Sequence, residues 1–154
     1  MKRIFARILF FLLISTFGFS AKSLTGIGIY GNLIGSGTGF GSALGLTLKF
    51  GNFPVLGLEW VFGDRGTIGV SCDWWVVNDH LAGALNYYLG LGGFLSLANL
   101  GNNTVLNFGG RIPIGLQIWA LKNLEIFGEI TPLVGFIPSI SLSFSLRIGV
   151  RLHF

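Results

Sequence analysis

From Ser143 to Phe154 the chain alternates without a break. Phe144, Leu146, Ile148, Val150, Leu152 and Phe154 fall on one parity; Ser143, Ser145, Arg147, Gly149, Arg151 and His153 fall on the other. A period of two places successive side chains on opposite faces of a strand, whereas a helix would scatter these residues around its circumference. This stretch therefore commits its part of the chain to a sheet with one apolar and one charged face.

Composition extends the constraint to the whole chain. Only 10% of the 154 residues are charged and 51% are apolar, with a mean hydropathy of +0.73. A soluble domain carries about 25% charged residues. The 25 glycines argue against long helices, because each costs about 1 kcal/mol in a helix relative to alanine. These values point to a membrane protein without helices.

The first residues carry a separate message. Lys2, Arg3 and Arg7 precede the apolar run Ile8–Ile14, and Gly18 and Ser20 supply small residues beyond it. That order predicts a signal peptide over residues 1–20, cleaved after Ser20 or Ala21, with the barrel domain over 21–154. The run is shorter than the ~20 residues that a helical span requires. No cysteine follows it, which excludes a lipoprotein anchor. Ten Lys+Arg face six Asp+Glu in the full chain, a net +4. Removing Lys2, Arg3 and Arg7 leaves seven against six, or +1. The basicity thus belongs mainly to the leader and gives no support to a nucleic-acid partner. Cys72, the single cysteine, cannot form an internal disulfide and reads as a small hydrophobe.

Beyond residue 21 the hydrophobicity is divided into short alternating segments. In lipid only helices and closed barrels satisfy every backbone polar group. Segments of about ten residues with dyad alternation are the mark of an outer-membrane barrel. The pattern predicts strands near 24–34, 42–50, 55–63, 66–77, 81–94, 105–118, 123–134 and 141–154. Turn chemistry separates them at Gly35–Gly39, Gly51–Pro54, Gly63–Gly66, Asn78–His80, Asn99–Asn103, Leu121–Asn123 and Phe136–Ser139. The expected fold is all-β, an eight-stranded antiparallel up-and-down transmembrane β-barrel, and the even number leaves both termini on the periplasmic side.

The faces give its polarity. Leu44, Leu46, Leu48 and Phe50 oppose Lys49; Leu56, Leu58, Trp60 and Phe62 oppose Glu59; Ile68, Val70, Cys72, Trp74 and Val76 oppose Asp73. The later strands repeat this with Arg111, Glu125 and Glu129. A lipocalin-like soluble barrel would turn the charges outward, too few to keep so greasy a surface in water. An arginine on a lipid face costs ~2–4 kcal/mol at the midplane. The charges therefore face inward.

The predicted interior holds Lys49, Arg111, Arg147 and Arg151 against Glu59, Asp73, Glu125 and Glu129, four against four. Antiparallel partners lie at equal distances from the turn that joins them. Glu129 and Arg147 are equidistant from Pro138, and so are Glu125 and Arg151. Arg111 and Glu129 are equidistant from residue 120. This predicts a ladder Arg111–Glu129–Arg147 with Glu125–Arg151 beneath it, in a lumen plugged by paired charges. An eight-stranded barrel is just wide enough for side chains to fill.

Other motifs dissolve on inspection. Gly26-Ile-Gly28-Ile-Tyr-Gly31 matches the dinucleotide fingerprint, but no helix pattern follows it, as that fingerprint requires. Asn102-Asn103-Thr104 fits the N-x-T pattern in a stretch where asparagine suits a turn anyway. The two histidines, His80 and His153, both fall at the periplasmic end, so no Ser/His/acid group assembles at the outer rim. Metal-ligand clusters and a cofactor site are not expected, and the reading is of a non-enzyme.

Asp73-Trp74-Trp75, Asn86–Gly93, Gly110–Leu116, Leu124–Pro132 and Ile148–Phe154 together resemble the small eight-stranded outer-membrane barrels of the OmpX and OmpA-membrane-domain type. They look more narrowly like a family of short barrels with no settled activity. The resemblance implies outer-membrane lipid as the main partner, with a monomer in that membrane. Val150, Leu152 and Phe154 resemble the terminal signal read by the barrel-assembly machinery. Some small barrels of this shape contact host proteins through their loops, which makes a surface binding module the alternative. A narrow channel or an outer-membrane enzyme is a further reading. The outward loops here, 35–41, 63–66, 95–104 and 135–140, are short.

Overall fold

The computed structural model describes residues 25–63, 66–100 and 103–154, with the Leu100 side chain excepted. The predicted leader and its cleavage site lie outside the described residues, as do parts of the 63–66 and 99–103 turns and of the N-x-T stretch. Among the described residues there are nine strands: β1 (Gly26–Ser36), β2 (Gly39–Lys49), β3 (Val55–Phe62), β4 (Thr67–Ala82), β5 (Leu85–Leu100), β6 (Asn103–Arg111), β7 (Ile114–Leu121), β8 (Leu124–Ile137) and β9 (Ser141–His153). Among the described residues no helix is long and apolar enough to cross a membrane.

Each strand pairs antiparallel with its neighbours, and β1 pairs with both β2 and β9, from Gly26↔His153 to Ser36↔Ser143. The sheet therefore closes into a ring, unevenly, since β4 beyond Asp73 pairs with β5 alone. Strands β6 and β7 are one course interrupted at Ile112-Pro113. Both pair with β5 in a common register, Gly92↔Arg111 and Leu89↔Ile114, and both also pair with β8. Proline has no N–H to give to a ladder, which explains the gap. Eight courses go round the ring.

The residues are sorted as the alternation requires. Outward-facing Trp60, Leu91 and Ile148 are 57%, 56% and 62% exposed, whereas Glu125, Arg111 and Asp73 are 0%, 2% and 3% exposed. Polar groups form the core and apolar groups form the surface, the inverse of a water-soluble fold.

Several boundaries differ from the sequence reading. Asn78-Asp79-His80 is not a turn: β4 continues through it, and the chain reverses at Gly83-Ala84. Gly83 has φ 57°, the left-handed region that glycine reaches at little cost. The three polar residues suggested a turn because they lie at a rim, where β4 has irregular pairing after Trp75 and polar side chains reach water. Strand β4 is correspondingly longer than expected, while β5 begins later, at Leu85, and runs on to Leu100, so that most of the loop expected at 95–104 is strand.

Inward rings occupy glycine niches. Tyr30 lies over Gly45 and Tyr88 over Gly115, each so close that a Cβ at the glycine would collide with the ring. These pairings let bulky aromatic side chains lie flat along the wall of a narrow lumen.

Candidate functional site in the barrel lumen

The eight predicted inward charges lie within one lumen, along with His153. They fall into two groups stacked along the barrel axis.

The group nearer the termini centres on Glu125 of β8. Its Oε1 accepts from Arg151 Nη1 at 2.6 Å and Gln117 Nε2 at 2.8 Å, and its Oε2 meets His153 Nε2 at 2.5 Å. Lys49 Nζ is 3.9 Å from Oε2. Arg151 also donates to Thr47. Beside them Trp75 and Tyr88 stack with centroids 3.9 Å apart and an interplanar angle of 14°. Lys49 Nζ sits 4.0 Å from the Trp75 centroid, a cation–π arrangement.

The group nearer the loops centres on Glu129. Its Oε1 accepts from Arg111 Nη2 at 2.6 Å and from Thr131 at 2.7 Å, and its Oε2 accepts from Tyr88 OH at 2.9 Å. Arg147 Nη1 is 3.7 Å away. Arg111 Nε lies 3.1 Å from Asp73 Oδ1, an ion-pair contact rather than an aligned hydrogen bond, since neither atom makes one. Arg147 Nη2 donates to Glu59 Oε2 at 3.0 Å, and Tyr30 OH and Asn32 Nδ2 donate to that same oxygen.

The β8–β9 register is the one derived from the sequence, with Glu129↔Arg147 and Glu125↔Arg151 as direct partners. The register across the preceding turn is not. Arg111 lies opposite Leu133, and Glu129 opposite Gly115. The chain turns at Lys122-Asn123 rather than around residue 120. Arg111 and Glu129 still meet because a long guanidinium side chain bridges a diagonal offset between strands.

Sequence reasoning did not single out Tyr30, Trp75 or Tyr88 as lumenal. Trp75 shares the parity of Asp73 and Ser71, and that was the available signal. Trp74-Trp75 hid it, because adjacent tryptophans suit both an aromatic girdle and a core. Of the other chemical groups considered, His80 pairs with Asn86 at the rim. Among the described residues no three His, Cys, Asp or Glu side chains gather to hold a metal.

The free space is uneven. A cavity of about 270 Å³ opens toward the loops, with Arg111, Arg147, Glu59 and Asn32 among its lining residues. Deeper, among Tyr30, Thr47, Asp73, Phe127, Arg147 and Arg151, about 10 Å³ is left, which holds at most a single water.

With this geometry in view, comparison with solved structures settles the architecture. The N-terminal β-barrel domain of Pseudomonas aeruginosa OprF superimposes with a TM-score of 0.57 at 12% identity, covering 85% of this chain and 98% of that one. Neisserial surface protein A superimposes with a TM-score of 0.51 at 14% identity, covering 84% and 96%. The chain has the fold of a small eight-stranded outer-membrane β-barrel. At such identities the likeness is one of fold, and a fold does not carry a ligand or a role with it. No family model matches the barrel, and no curated protein sequence matches it.

Proposed function

We propose that this chain is a bacterial outer-membrane protein, a non-catalytic barrel with a lumen closed by paired charges and a structural or surface-contact role. The observation that carries this reading is the inversion of polarity: an apolar belt stands exposed around a core of ionised groups. Such a surface is stable only against hydrocarbon. Closure of the lumen is supported by the Glu125 and Glu129 groups, by the Trp75–Tyr88 stack and by the small space left among them. The leader over residues 1–20 would deliver the chain to the periplasm, to be cleaved after Ser20 or Ala21.

Fractionated outer membranes should contain the protein as a species whose gel mobility changes on boiling. The same protein in planar bilayers should carry no steady current. Identical migration before and after boiling would count against a barrel, and a sustained single-channel conductance would overturn the closed lumen.

On the same reading, Val150, Leu152 and Phe154 on the outward face at the end of β9 are the residues offered to the barrel-assembly machinery. Deleting Phe154 should lower the amount of folded protein in the outer membrane several-fold while leaving refolding into detergent micelles intact. Equal loss in both settings would make Phe154 a packing residue instead.

The loops between strands favour no separate adhesive role. At the outward end β1 and β2 are joined by residues 37–38, and β8 and β9 by residues 138–140.

A further inference from the structure

We propose that the loop-end cavity is a binding pocket for a small uncharged aromatic molecule that carries one hydroxyl group. This goes beyond a structural role. The binding requires only the folded barrel, whereas access from outside the cell rests on the topology proposed above.

The space exists because several inward positions at this level are small. Gly69 of β4, Ser96 of β5, Gly135 of β8 and Ser143 of β9 line it, whereas Trp75 and Tyr88 fill the lumen nearer the termini. Its volume is about 270 Å³. A dry cavity of about 150 Å³ already holds a benzene ring, so this one has room for a ring and a short polar arm.

The walls are mainly apolar. Ile34, Val61, Phe94 and Leu133 line the cavity, each directly across from a buried, inward-facing neighbour. A Cβ at Gly109 would come within 2.7 Å of the Phe94 ring, so the ring lies against the wall and leaves its other face to the cavity. An aromatic guest can stack on that face with an offset.

Charge excludes ions of either sign. Two arginines and one carboxylate line the cavity, and each is already paired. Arg111 contacts Asp73 at 3.1 Å and Glu129 at 2.6 Å, and its side chain is fully buried. Arg147 contacts Glu59 at 3.0 Å and Glu129 at 3.7 Å. An entering anion would have to displace a buried carboxylate, and an entering cation would meet two guanidinium groups. Either would lose its hydration without a free counter-charge, a cost that an uncharged molecule does not carry.

The polar arm is placed by Ser96 and Asn107. Both line the cavity and both are half-buried, and Asn107 Nδ2 donates to Ser96 Oγ at a long 3.4 Å. A serine hydroxyl and a primary amide have donor and acceptor capacity beyond that one bond. A guest hydroxyl, which both donates and accepts, matches them.

The test uses the full barrel folded in detergent micelles, titrated by calorimetry against a blank of the same micelles. Benzyl alcohol, benzylammonium and benzoate share one ring with one carbon beyond it and differ in charge. Saturable binding is expected for the alcohol, at least tenfold tighter than for either ion. Ser96→Phe and Ser143→Phe, which fill the cavity, should each abolish it. Asn107→Leu, which keeps the size of the side chain, should weaken it several-fold. Folding of each variant is checked by its heat-dependent gel shift, and the three compounds on the parent barrel decide alone if the variants do not fold. The proposal is overturned if the alcohol gives only the heat of entering micelles, if either ion binds as tightly, or if any folded variant binds like the parent.

Discussion

Replacing Glu129 with alanine should destabilise the barrel by about 3–5 kcal/mol, the cost of leaving a buried charge partner uncompensated. Glu129 is 5% exposed and accepts hydrogen bonds from Arg111, Thr131 and Tyr88 while lying 3.7 Å from Arg147. Its removal leaves two guanidinium groups near each other with one fewer carboxylate between them. Each keeps one other carboxylate partner, Asp73 for Arg111 and Glu59 for Arg147. Glu129→Gln retains an acceptor for Tyr88 and Thr131 and should cost less than alanine. Urea-dependent unfolding from lipid vesicles, followed by tryptophan fluorescence, measures both. A shift below about 1 kcal/mol for Glu129→Ala would mean that the charged network does not organise the lumen.

The second large effect belongs to the outer face. Ile148 lies mid-strand on β9, is 62% exposed and has the outward glycines Gly31 and Gly128 as its cross-strand neighbours. Ile148→Arg should cost about 2–4 kcal/mol in a bilayer, because a guanidinium at the midplane meets hydrocarbon. Leu142→Arg, at the loop end of the same strand and 74% exposed, should cost only about 0–1 kcal/mol, the value near an interface. The comparison separates lipid contact from simple loss of an aliphatic side chain. Equal costs at the two positions would show that this face does not cross a membrane.

These two predictions rest on different kinds of information. The outward position of Ile148 is readable from alternation, as is the inward position of Arg147 beside it. So is the pairing of Glu129 with Arg147, because a hairpin ties register to a turn that Pro138 and Ser139 mark clearly. The register of Arg111 differs because the ladder takes its centre at residue 120, inside the apolar run through Trp119, and not at the turn signal Leu121–Asn123 where the chain reverses. Lys122-Asn123 marks it, and a shift of two positions in the turn leaves side-chain parity unchanged. An error of that size moves a residue along the barrel without moving it to the other face.

Sequence by itself thus determined the sheet, the inversion of polarity and which side of the wall each charge occupies. The physical reason is that a strand's period is local and lipid penalises every misplaced charge separately. The tertiary structure alone decided which groups meet across the lumen. Arg147 reaches Glu59 from 88 residues away and Ser71 from 76, and no hairpin links them. Such contacts depend on the height of each strand around the closed ring, which sums the offsets of all the intervening pairs. Parity carries no record of height. That is why the chain could announce a neutral interior, while only the folded barrel could gather it into one group around Glu125 and another around Glu129.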